Sequence, residues 1–115
     1  MKRVLIGIVG AIVLAAFAST ASAQDAKAEK GMKVYADQKC SMCHSIAGKG
    51  NAKGSLDDVG SKLSTEDIHQ WIVDPAAMTA KAKADRKPPM PAKYKTLPKE
   101  DVDALVSYLS SLKKK

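Results

Sequence analysis

Two cysteines three positions apart, with a histidine directly after the second, constrain this chain more than any other feature: Cys40-Ser41-Met42-Cys43-His44. This spacing is the attachment signature of c-type haem. On one turn of backbone each thiol can form a thioether to a haem vinyl group, and the adjacent imidazole is left facing the iron as an axial ligand. A chain organised around such a motif has to cover a large, flat, mostly apolar group. Its composition agrees, because Phe17 is the sole phenylalanine and the other aromatics are Tyr35, Trp71, Tyr94 and Tyr108. A domain of about 90 residues removes only roughly 60 to 65% of its unfolded surface from water and often depends on a staple or cofactor. A central apolar group would supply the missing core.

The first residues carry a second signal. Met1-Lys2-Arg3 is cationic, Val4 to Ala18 is uncharged, and Ala21-Ser22-Ala23 is a small-x-small site. That is the pattern of a secretory signal peptide over residues 1–23, cleaved after Ala23 to leave a domain over residues 24–115. An uncleaved membrane anchor is the alternative, although the apolar run falls below the roughly 18 to 20 residues that a spanning helix needs. Bacteria attach haem covalently outside the cytoplasm, so an export signal and the motif support each other, and a periplasmic location is expected.

The whole chain carries a formal net charge of +7, and the part beyond Ala23 has 17 basic side chains against 12 acidic. Two haem propionates would reduce the resulting +5 to about +3, which favours acidic partners. Nucleic acid is not an expected partner, because the lysines are not interleaved with stacking aromatics.

Along the chain the patterning is helical. Asp25 to Gln38 contains good helix formers, with Asp25 as a candidate N-cap and Met32 and Tyr35 able to share a face. Gly31 inside it suggests close approach of another backbone. Ala47 to Gly60, with four glycines, sustains no period and is expected to be a loop. Ser64-Thr65-Glu66-Asp67 resembles a capping box, followed by a stripe of Ile68, Trp71 and Ile72. Asp74-Pro75 stops that helix and can open the next, through Met78. Pro88, Pro89 and Pro91 exclude regular structure around Met90. Val102, Leu105, Val106, Leu109 and Leu112 then mark a terminal amphipathic helix from Pro98 to about Lys113, with acids near its start and lysines at its end. No alternating strand pattern or internal repeat is evident, so the fold class is all-α.

Iron fixed by His44 has one further axial position, and its occupant separates an electron carrier from a reactive site. Met32 lies on the first helix, Met42 within the attachment loop, and Met78 on a short helix where core packing suits it. Met90 sits between Pro89 and Pro91, on a segment whose restricted conformations suit a weakly held thioether ligand. His69, the other imidazole, is the remaining candidate.

Taken together these residues resemble a class I cytochrome c of the monohaem bacterial type, over nearly the whole segment beyond Ala23. Gly31 and Tyr35 resemble the glycine and aromatic of that family's first helix, which pack against an aromatic and a leucine of the last helix, here Tyr108 and Leu109. The resemblance implies a small fold in which the terminal helices cross and haem forms the centre of the core. It implies one covalent haem c held by Cys40 and Cys43, iron ligated by His44 and Met90, and Trp71 near the propionates. Two positions depart from the pattern. Four residues rather than three separate Tyr35 from Cys40, and Ser55 stands where a proline usually follows the loop glycine.

The expected function is that of a monomeric periplasmic one-electron carrier between larger redox complexes, not an enzyme. Lys81, Lys83, Arg86, Lys87, Lys93 and Lys95 form a candidate basic docking face, and loose association with a membrane surface is compatible with it. A five-coordinate haem that binds gases or reduces peroxide is the first rival, lacking an evident distal acid–base pair. A thiol–disulfide oxidoreductase is the second, lacking the expected βαβ setting. A structural zinc site is weaker, with four candidate ligands of which two are adjacent in sequence.

Overall fold

A missing side chain sets the principal packing of this molecule. In the computed structural model, which describes residues 16–113 with side chains from residue 25 onward, helix α1 spans Ala16–Asp37 and helix α5 spans Lys99–Ser110. They form the most extensive helix pair. A Cβ on Gly31 would stand 2.5 Å from Tyr108 Cβ and collide with the Ala104 carbonyl oxygen, so only glycine allows this crossing. Tyr35 meets Tyr108 edge-on across it, with ring centroids 6.1 Å apart and planes at 72°. That edge-to-face geometry suits the aromatic quadrupoles. Lys30 adds exposed ion pairs to Glu100 and Asp101 at 3.7 and 3.5 Å.

Between these helices lie α2 (Val59–Lys62), α3 (Thr65–Val73) and α4 (Pro75–Ala82). The start of α3 follows from Ser64, whose Oγ accepts the Asp67 backbone N–H at 3.1 Å. Asp74 ends α3 and caps α4, its carboxylate accepting from Ala77 N at 3.4 Å while Pro75 occupies the first turn. Ile68 and Ile72 pack with Val34, Tyr94, Val102, Leu105, Val106 and Leu109 as the core. Burying each such aliphatic side chain contributes about 1.5 to 3 kcal/mol. Met78 is also buried, as core packing predicts.

Several expectations need correction. In the uncleaved chain Asp25 lies within α1, which is described from Ala16 onward, and does not cap it. Met32 does not join Tyr35 in the interface and is 53% exposed. Trp71 is half-buried between two fully buried isoleucines, at the margin of the stripe rather than inside it. The glycine-rich loop holds a small antiparallel hairpin, β1 (Ser45–Ile46) paired with β2 (Lys49–Gly50), with Ala47 and Gly48 at positive φ in the turn. Two residues per strand are too few to produce an alternating pattern. The segment 1–23 read as a leader lies largely outside the described residues, as do residues 114–115. Among the described residues, no helix is long and apolar enough to cross a membrane.

Candidate haem-attachment site

The motif is built by a reversal of the chain at the end of α1. Lys39 adopts the left-handed conformation (φ 56, ψ 39), and a single 3-10 turn, Cys40–Met42, follows. Cys43 N and His44 N both donate to the Cys40 carbonyl, at 3.1 and 3.0 Å, so both cysteines and the histidine share one compact turn. The four residues between Tyr35 and Cys40 are thus the last turn of α1 and this reversal. Both cysteines are free thiols and half-buried. Burial pushes the Cys40 thiol up to about 11. A nucleophilic redox thiol is commonly shifted the other way, so Cys40 lacks the lowered value of that chemistry.

His44 is oriented from the far side of the hairpin. Its Nδ1 lies 3.0 Å from the Gly54 carbonyl oxygen, which can only accept, so Nδ1 carries the proton and Nε2 keeps its lone pair. Burial, followed by the nearby Arg86 charge, holds its pKa below the ordinary histidine value, against the opposing effect of the Gly54 hydrogen bond. Neutral imidazole with a free Nε2 is the form that ligates iron.

The Gly54 carbonyl is itself fixed. Ser55, where the family pattern has proline, adopts φ −58 and ψ 131, a backbone conformation that proline favours. Its hydroxyl donates to Asp57 Oδ2 at 3.2 Å, the second Asp57 oxygen accepts from Ala47 N at 2.6 Å, and Leu56 N donates to Ser45 O at 2.8 Å. Side-chain hydrogen bonds hold here what a pyrrolidine ring would hold.

Asn51 is a site residue that sequence inspection did not single out. Its backbone N–H bridges the Ser41 and His44 carbonyls at 3.1 and 3.0 Å, and its side chain donates to Met42 O at 3.2 Å. Its Oδ1 accepts from Lys53 N at 3.0 Å, an Asx turn that asparagine within a glycine-rich loop could have signalled. Gly50 lies under the same carbonyls with φ 111, and a Cβ there would collide with His44 O.

Met90 is half-buried and packs against the core cluster, whereas Met42 is 71% exposed. The segment bearing Met90 returns through Pro91 to a 3-10 turn, Ala92–Thr96, whose Tyr94 is buried in the core. Lys93 lies over the Tyr94 ring, 5.4 Å from its centroid, and its charge is felt at Cys40. Met42 and Cys43 line a 710 Å³ cleft with Asn51, Lys53, Asp85, Arg86, Lys87 and Pro88. His69 lines a separate 660 Å³ groove with Glu66, Asp103 and others, sharing no residue with the first. Trp71, on α3, is not among the residues lining either cleft.

The attachment residues fit haem c: two free thiols on one turn and an imidazole whose Nδ1 is already engaged. Comparison with known proteins agrees. The cytochrome c family model matches residues 28–113. Cytochrome c oxidase subunit 2 of Alkalihalophilus pseudofirmus is 30% identical over 95 residues, covering 75% of this chain. The chain spans only about a quarter (26%) of that relative's length. No solved structure matches significantly. With a family match across most of its length and a site that suits covalently bound haem c and its iron, the chain belongs to the cytochrome c family.

Proposed function

We propose that the protein is an exported, monohaem, one-electron carrier whose iron is ligated by His44 and Met90. The observation that carries this is the His44 hydrogen bond to Gly54 O, which leaves Nε2 free beside two thiols able to form thioethers. Haem c, when bound, supplies an iron that alternates between ferric and ferrous states. Cys40 and Cys43 would hold it through thioethers, and His44 Nε2 and the soft thioether of Met90 would ligate its iron. A thioether stabilises the ferrous state, so a positive midpoint potential is expected, within the roughly 0.8 V range that axial ligands span.

Lys81, Lys83, Lys87, Lys93 and Lys95 are exposed, and Lys87 with Arg86 lines the cleft beside Cys43. They form a docking face for an acidic redox partner. Likeness to an oxidase subunit makes a terminal oxidase the first acceptor to try. Mass spectrometry of the exported protein tests attachment, with an expected addition of about 616 Da for one haem. An absorption band from thioether–iron charge transfer in the oxidised protein tests Met90. An unmodified mass would overturn haem binding; rapid carbon monoxide binding by the reduced protein at neutral pH would favour a five-coordinate site instead.

A further inference from the structure

The stretch that carries Met90 also reaches the His44 side of the site. It leaves α4 at Lys83, which is left-handed (φ 52, ψ 40), and three residues later Arg86 lays its side chain on the loop that orients His44. A Cβ on Gly54 would collide with a terminal guanidinium nitrogen of Arg86 and with the Cys43 carbonyl oxygen, and would stand 3.0 Å from His44 Nδ1. The guanidinium therefore rests on the glycine whose carbonyl accepts the His44 hydrogen bond. Arg86 is half-buried there, whereas Lys81, Lys83, Lys87, Lys93 and Lys95 are exposed. Asp85, which lines the same cleft, is exposed, and the ion pairs among the described residues are those of Lys30 with Glu100 and Asp101.

We propose that Arg86 sets the reduction potential of the iron site by holding a half-buried positive charge against the His44–Gly54 hydrogen bond. The proposal rests on His44 being an axial ligand. Ferric iron carries one more positive charge than ferrous iron, so a fixed cation nearby destabilises the ferric state more and raises the potential. Arginine suits the task because it keeps its charge at any physiological pH and is weakly hydrated, so partial burial costs it less than it would cost lysine. The arrangement also joins the two sides of the site, since the residue that biases His44 lies four positions before Met90.

The test is spectroelectrochemical titration of the haem-loaded protein, comparing wild type with Arg86→Gln, Arg86→Met and Arg86→Lys at low and high salt. Either neutral variant is expected to lower the ferrous-to-ferric ratio at fixed ambient potential about threefold to tenfold, tenfold being about 59 mV for a one-electron couple. Arg86→Met preserves the packing of the side-chain stem and keeps the comparison available should Arg86→Gln fold poorly. Arg86→Lys is expected to stay closer to wild type, and Lys62→Gln, an exposed lysine at the end of α2 outside the cleft, to shift the ratio less than twofold. Neutral variants within twofold of wild type would overturn the proposal. So would a Lys variant displaced as far as the neutral ones, or a shift that disappears at high salt. Wild-type protein lacking the haem mass would instead overturn the functional reading itself, before Arg86 is in question.

Discussion

Tyr35 supports the crossing of the terminal helices and carries an unmet demand there. Its hydroxyl is buried without a hydrogen-bond partner among the described residues, and desolvation, followed by the electrostatic influence of Cys40, pushes its pKa up to about 12. The unfolded chain deprotonates this phenol near its ordinary value of 10, so stability is fully present below pH 10 and falls as pH rises toward 12. Tyr35→Phe removes the orphaned hydroxyl and keeps the ring. It is expected to raise stability by about 1 kcal/mol at pH 7 and to reduce the loss above pH 10, measured by urea unfolding across pH. Tyr94 and Tyr108 are shifted the same way, so the alkaline loss diminishes without vanishing. A different outcome belongs to Met90, which lies in the core wall and whose proposed role is chemical as well as structural. Met90→Ala is expected to leave the haem mass unchanged, abolish the thioether–iron charge-transfer band and lower the midpoint potential. A retained band would transfer the sixth position to another residue.

The α1–α5 pair depends on one absent side chain, and its failure should be abrupt. Gly31→Ala gains helix propensity of about 1 kcal/mol, yet its Cβ would meet the Ala104 backbone and Tyr108, neither of which can withdraw without separating the helices. Overpacking of this kind costs about 1 to 3 kcal/mol and should prevail, lowering Tm by roughly 5 to 10 °C in a domain of this size. Equal or higher stability in calorimetry would show that the helices can separate without loss. This crossing was legible in the sequence because Gly31 is anomalous in a helix and α5 carries an unbroken apolar stripe. The Ser64 and Asp74 caps were legible for a similar reason, since each side chain bonds a backbone N–H three residues away. What escaped notice depends on distant partners. Ser55 acquires a proline-like backbone next to a bond with Asp57, and the hairpin is too short to leave a pattern.

Charge and site come together only in the folded chain. In the sequence Arg86 sits in a run of docking lysines, and the fold distinguishes it by burial, with Arg86 half-buried against Gly54 and the lysines exposed. Nothing in local pattern could reveal this, because the contact joins residues on either side of α2, α3 and α4. Lys53 and Lys87 line the cleft with an exposed Met42 and a half-buried Cys43, so the proposed acidic partner would meet positive charge beside the attachment residues. Attraction over this face acts through solvent and is screened over about 10 Å at 0.1 M salt and about 3 Å at 1 M. Oxidation of the reduced protein by an acidic partner is therefore expected to slow at least tenfold across that range in stopped-flow measurements. Lys87→Glu with Lys93→Glu should lower the rate at low salt and converge on wild type at high salt, because the substitutions remove steering while leaving the ligands in place. Wild-type rates that do not respond to salt, or a variant that remains slow at 1 M, would move the docking face elsewhere on the molecule.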